Sequence, residues 1–196
     1  MKHLFLWVAF CAMPLNALSE EAAIGKKEAP ITLIEYGSLT CDACNYFHRG
    51  VLPSIKEGYI DSGAVRYIYR HYPTGAAALQ GAVATQCAGD QYYEMLDKLY
   101  LNVEHWYEAD NHNEFFAEYA KSLGIDSATF AQCLVDEQKR ALILAGQKEA
   151  SKKYGVIGTP TFVINGEVVK GKRSFTQMKA LLDGVDRLEG FQEKAE

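Results

Sequence analysis

Two cysteines three positions apart carry the first chemical signal, in Cys41-Asp42-Ala43-Cys44. Such a pair has three uses: half of a zinc site, a structural disulfide, or a dithiol that cycles through its disulfide. Zinc takes four ligands. A second close cysteine pair is missing, since Cys87 and Cys133 stand alone and neither His105 nor His112 has a ligand-like spacing to them. A bond between Cys41 and Cys44 would close too small a loop to restrain the chain much. The redox use fits the position of the pair best. Ile31-Thr32-Leu33-Ile34-Glu35-Tyr36 is β-rich and almost continuously apolar, the pattern of a buried central strand. Gly37 to Thr40 is a turn, and from Cys41 a helical spacing runs through Cys44, Phe47, His48, Val51, Leu52 and Ile55. Unpaired amides and the macrodipole at a helix N-terminus stabilise a thiolate. Cys41 is therefore the expected exposed nucleophile, and Cys44, one turn further in, its shielded partner. Pro53 inside the pattern predicts a kink or a break.

The elements around the pair read as two half-motifs flanking a helical block. Val65 to Arg70 alternates at period two and gives a second strand, so residues 30–75 form a βαβ unit with a parallel pair and a right-handed crossover. Residues 76–154 hold helical stripes without a convincing strand: Leu79, Val83 and Cys87; Tyr92, Leu96, Leu99 and Tyr100; Phe115, Phe116, Tyr119, Ala120 and Leu123; Phe130, Cys133 and Leu134, with Ser127 as the expected cap; then a long helix from about Glu137. Residues 155–196 return to β with Thr161 to Ile164, an Asn165-Gly166 hairpin, Val168 to Lys170, and a last helix opened by Ser174. Just before that strand lies Gly158-Thr159-Pro160-Thr161. A proline at the first residue of a strand costs no ladder bond, and taken alone it reads as an ordinary trans turn.

Whole-chain properties narrow the class. The 196 residues are 48% hydrophobic and 12% aromatic, a packed globule. The net charge of −5 gives no support to nucleic acid as the main partner. No apolar run reaches the roughly 20 residues needed to cross a bilayer. Residues 1–19 follow the plan of a secretory signal peptide: a charged start at Lys2, an apolar run from Leu4 to Met13, and small residues at Ala17 and Ser19. Cleavage after Ser19 would remove Cys11 and leave Cys41, Cys44, Cys87 and Cys133, an even set suited to an oxidising compartment. Residues 20–29 read as a short, flexible lead-in.

From about Pro30 to Val185 the chain resembles the DsbA-like thiol:disulfide oxidoreductases of the thioredoxin superfamily. The resemblance rests on Leu33 to Cys44, on the helical insertion, and on Gly158 to Gly166. It implies an α/β thioredoxin-like fold, βαβ plus ββα, with an inserted helical subdomain. It implies that Pro160 is cis and, with Thr159, faces the cysteines. It implies that Glu35, six residues before Cys41, is a buried acid that moves a proton to or from Cys44. Many members have Pro-His between the cysteines. Asp42-Ala43 departs from that, and an anionic Asp42 beside Cys41 is expected to raise the thiol and make a milder oxidant. His48, a turn beyond Cys44, reads as a satisfied helix-face histidine, with tuning of the pair as the alternative. Cys87 and Cys133 fall on apolar helix faces and taken alone could be buried free thiols; some relatives carry a second disulfide here, which favours a structural bond between them.

The activity implied is that of an exported, periplasmic oxidase. It exchanges the Cys41–Cys44 disulfide with thiols of unfolded or partly folded proteins, acts as a monomer without a cofactor, and is reoxidised by a DsbB-like, quinone-linked membrane partner. A disulfide isomerase or reductase of the same fold is the alternative, although family isomerases carry a dimerisation module for which residues 20–29 leave no room. From another class, a peptide-binding chaperone with incidental cysteines competes.

Overall fold

The computed structural model describes residues 21–192, with side chains to Val185; the expected signal peptide lies outside the described residues. Four strands form one mixed sheet in the order β2-β1-β3-β4, from β1 (Ile31–Gly37), β2 (Val65–His71), β3 (Thr161–Ile164) and β4 (Glu167–Lys170). β1 and β2 run parallel, from Ile31 opposite Val65 to Gly37 opposite His71. β3 runs antiparallel to β1, with Tyr36 opposite Thr161, and β4 returns beside β3. The turn between them is Asn165-Gly166, both at positive φ (44° and 94°), as the dipeptide predicts.

Side chains alternate across a sheet, and two apolar layers follow. Leu33, Tyr67, Tyr69, Phe162 and Ile164 face the main core. Ile34, Tyr36, Ile68 and Val163 face a smaller one. The main core is covered by α1 (Asp42–Tyr46), α2 (Leu52–Ile55) and the closing α9 (Phe175–Gln192). One helical path runs from Asp42 to Ile60, with π turns at Phe47–Val51 and Lys56–Ile60. Pro53 sits in the first turn of α2, where its missing amide is tolerated, so the expected kink takes the form of the preceding π turn. α9 opens on a capping box: Ser174 N donates to Gln177 Oε1 at 2.9 Å, and Gln177 N to Ser174 Oγ at 3.3 Å.

The insertion holds α3 (Ala76–Cys87), α4 (Tyr92–Leu101), α5 (Val103–Tyr107), α6 (His112–Ser122), α7 (Ser127–Leu134) and α8 (Glu137–Tyr154). α3 is its hub, packed on α4, α6, α7 and α8. The cap of α7 is Asp126, one residue earlier than expected, because its carboxylate accepts the Thr129 amide at 2.9 Å and leaves Ser127 as the first helical residue. α8 supplies Ala150 to the smaller core and ends on a left-handed Gly155 (φ 63°).

Residues 21–29 are not the flexible lead-in expected from their polarity. Ile24 exchanges two backbone hydrogen bonds with Tyr67, at 2.9 and 2.8 Å, and covers the outer edge of β2. The Glu21 carboxylate accepts from Arg70 Nε and Nη2, at 2.6 and 2.8 Å. Among the described residues no helix is long and apolar enough to cross a membrane.

Candidate active site

The register of the sheet builds the site. β1 ends at Gly37 and hands the chain to Cys41, while β3 begins at Thr161 opposite Tyr36. The residues after β1 and before β3 therefore meet at one end of the sheet. There the Thr159–Pro160 peptide bond is cis, and the Thr159 carbonyl lies 3.4 Å from Cys41 Sγ, across 118 positions of sequence.

Cys41 occupies the N-cap of α1, with extended φ and ψ of −95° and 118°, and its side chain caps nothing. Its sulfur is free to accept from the helix end. The thiol is pulled from its ordinary value near 9 to about 5. The largest cause is a hydrogen bond from the Cys44 thiol; the Thr159 side chain and the amides of Cys44 and Ala43 add to it, while partial burial opposes it. Cys44 is fully buried, and desolvation pushes its thiol far up, with the Cys41 hydrogen bond and the Glu35 charge acting in the same direction. Both cysteines are thiols in this structure. One sulfur of the pair is thus an anion at neutral pH and its neighbour a firmly held proton.

The expected influence of Asp42 is not found. Its side chain is exposed to water and does not figure among the groups that move Cys41, where the hydrogen bond from the Cys44 thiol is the largest cause. Glu35 is fully buried on the main-core face of β1. Its Oε2 receives the Tyr67 hydroxyl at 2.6 Å and lies 3.2 Å from His48 Nε2, while its Oε1 has no hydrogen-bond partner among the described atoms. Cys87 and Cys133 lie apart from this site, in the insertion. Their sulfurs are 2.01 Å apart with Cα atoms at 5.7 Å, a disulfide that ties α3 to α7.

Sequence reasoning left the surroundings of Glu35 largely unread. His48, expected as a satisfied helix-face histidine, is buried. Its ring stacks on Tyr100 at 3.9 Å and 15°. Tyr100 and Tyr69 share a hydroxyl hydrogen bond at 2.8 Å, and the Tyr100 hydroxyl also donates to the Ser38 carbonyl at 3.2 Å, in the loop that carries Cys41. The available signal was spacing: His48 follows Cys44 by four positions and so shares its helix face.

Beside Cys41 is a depression of about 260 Å³ lined by Leu39, Thr40, Asp42, Val103 and Tyr107. A larger cleft of about 850 Å³ lies between β2, α4 and α8, against Tyr36, Arg70, Tyr92 and Ile143, and contains neither cysteine.

This strand order, with the helices inserted between β2 and β3 and the dithiol opposite a cis-proline loop, defines a thioredoxin-fold protein of the DsbA-like kind. The chain belongs to the thioredoxin family, whose model matches residues 18–184. It is 27% identical over 177 residues to a Rickettsia conorii protein that bears the name protein-disulfide oxidoreductase, an alignment covering 89% of this chain and 63% of the relative. The chain therefore spans less than two thirds of that relative's length. It is 28% identical to disulfide bond formation protein D of Bacillus cereus, covering 85% of this chain and 79% of the relative. Among solved structures, Wolbachia pipientis alpha-DsbA1 superposes with a TM-score of 0.78 at 29% identity, covering 87% of this chain and 93% of the other.

Proposed function

We infer that the protein is an exported thiol:disulfide oxidoreductase that works as an oxidase on protein substrates. The observation that carries this reading is the split within one cysteine pair: Cys41 half-buried and held at about 5, and Cys44 fully buried with its thiol pushed far up. In the oxidised protein a client thiolate attacks Cys41 Sγ, and the Cys41–Cys44 bond breaks with its electron pair on Cys44. Cys44 takes a proton, and Cys41 is left in a mixed disulfide with the client. A second client thiolate attacks the client's own sulfur in that bond and expels Cys41 as a thiolate. Both cysteines are then reduced and the client holds a new disulfide. A low Cys41 value makes it a good leaving group, which drives the reaction toward client oxidation.

The Thr159-Pro160 backbone beside Cys41 is suited to holding an extended client segment. The name of the Bacillus relative, a disulfide bond formation protein, points the same way. Return to the disulfide needs an external electron acceptor, for which a quinone-linked membrane partner is the proposal, and the signal-like residues 1–19 support export to the periplasm.

The test is Cys44→Ala with Cys41 intact, expressed in a bacterial host and resolved on non-reducing gels. The expected result is covalent adducts with exported proteins that vanish on reduction and are missing in Cys41→Ala. Absence of adducts, with peptide holding unaffected by Cys41→Ala, would favour a chaperone. Reduced Cys41–Cys44 in the parent protein at steady state in the cell would favour a reductase or isomerase.

A further inference from the structure

Buried charge around the dithiol must be balanced within the protein, and one group in this site has no assigned part in that balance. Cleavage of the Cys41–Cys44 bond puts an electron pair on Cys44, which is fully buried and repelled by the Glu35 charge. A thiolate there is costly, so a proton must reach it as the bond breaks. Glu35 lies within electrostatic range of Cys44, and its Oε1 has no hydrogen-bond partner among the described atoms. Its Oε2 is engaged by two side chains, Tyr67 at 2.6 Å and His48 Nε2 at 3.2 Å.

We propose that His48 is a positioning residue for proton delivery to Cys44: its Nε2 shares a proton with Glu35 Oε2 and fixes the carboxyl so that Glu35 serves the leaving sulfur. Three features hold His48 in that role. Its ring is clamped against Tyr100 by stacking and meets Tyr69 edge-on at 5.3 Å. Tyr67, also 3.4 Å from Nε2, closes a three-member cluster with Glu35. The π turn at Phe47–Val51 carries His48, whose side chain is buried.

The step balances. A client thiolate supplies two electrons and forms a bond to Cys41; the Cys41–Cys44 bond breaks; Cys44 leaves with the electron pair and takes the proton held by the Glu35–His48 pair. That pair becomes one unit more negative and regains its proton from water. The other titratable groups facing His48 are Tyr67, Tyr69 and His71 on β2 and Asp97 and Tyr100 on α4; Cys44 on α1 interacts with Glu35, Tyr69 and Tyr100 in the same cluster. His71 is held neutral by burial, its value pulled down to about 3, and the three tyrosines are pushed up by burial. These four therefore do not ionise at neutral pH.

This proposal rests on the dithiol reading of the site but not on which proteins are clients. The test uses glutathione as the attacking thiol on the oxidised full-length protein, with rates corrected for the glutathione thiolate fraction. His48→Phe keeps an aromatic ring against Tyr100 and removes the shared proton. His48→Gln keeps an amide donor toward Oε2. The expected result for His48→Phe is reduction of the Cys41–Cys44 bond about tenfold slower at pH 7. For His48→Gln it is a rate within about threefold of the parent. In both reduced variants the pH profile of Cys41 alkylation should match the parent. A His48→Gln rate as slow as that of His48→Phe overturns the proposal, as does a shift of the Cys41 profile that parallels the rate loss. Should His48→Phe fail to fold, His48→Leu, which likewise removes the shared proton, takes its place in the comparison with His48→Gln. Parent protein that reacts with glutathione, alongside a Cys44→Ala variant that traps no client, would sink the oxidase reading and leave this one standing.

Discussion

Within the site, one sulfur's ionisation depends on a few donors placed by backbone geometry. Cys41 stands at the end of α1, and Cys44, Thr159 and two amides converge on it. Its depressed value links redox state to pH. A thiol held below its unfolded value stabilises the reduced fold in full above about pH 9, and the contribution is lost as pH falls through about 5. Chemical unfolding of the reduced protein against Cys41→Ser should show an advantage that grows between pH 5 and 9; an advantage that shrinks over that window would contradict the assignment. Behind the sulfurs, Tyr67→Phe removes the 2.6 Å bond to Glu35 and leaves a buried carboxyl less satisfied. It should lower stability by about 1–3 kcal/mol in urea denaturation, and a neutral effect would mean that Tyr67 does not support Glu35.

At the scale of elements, the fold was legible wherever pattern and local chemistry agreed. The continuous apolar run Ile31 to Tyr36, the alternation Val65 to Arg70 and the Asn165-Gly166 turn each predict what is seen, because strand burial and turn φ leave direct marks on composition. The short α5 left no comparable mark. Its Trp106 is fully buried and donates to the Leu99 carbonyl at 2.8 Å, a tertiary fit that no periodicity over five residues could announce. The packing of Ile24 on β2 was hidden for the same reason, since backbone pairing at a sheet edge needs no particular side chains. Gly37 illustrates the reverse case, where a residue's absence of a side chain matters: a Cβ there would lie 2.5 Å from the Tyr69 ring. Gly37→Ala should displace Tyr69 and loosen its hydroxyl contact with Tyr100, seen as a fall in melting temperature and a changed tyrosine near-UV signal. The disulfide between α3 and α7 closes a 46-residue separation. By the chain-entropy account, Cys87→Ser with Cys133→Ser should cost about 4 kcal/mol at most, with little change in the rate at which Cys41 reacts.

For the molecule as a whole, the helical insertion and the sheet share the work of defining the dithiol's environment. The sheet register delivers Thr159 and Pro160 to Cys41, and α4 of the insertion supplies Tyr100 to the layer behind Glu35. The position of Cys41 and Cys44 could be read from sequence, but their wiring could not, because His48 and Tyr100 meet only after the insertion folds back. A Cys41 value of about 5 falls between those of about 7 in thioredoxin and about 3.5 in DsbA. The reduction potential should accordingly fall between about −270 and about −120 mV, measured by equilibration with glutathione; a value outside that interval would show that thiolate stability does not govern the couple here.

The account rests on Cys41 being an anion at neutral pH while Cys44 is not, and the most direct measurement is the pH dependence of alkylation at each cysteine of the reduced protein, resolved by mass spectrometry. Cys41 should react with a midpoint near pH 5, and Cys44 should stay unmodified through pH 9. A Cys41 midpoint at the ordinary thiol value, or labelling of Cys44 alongside it, would contradict the account.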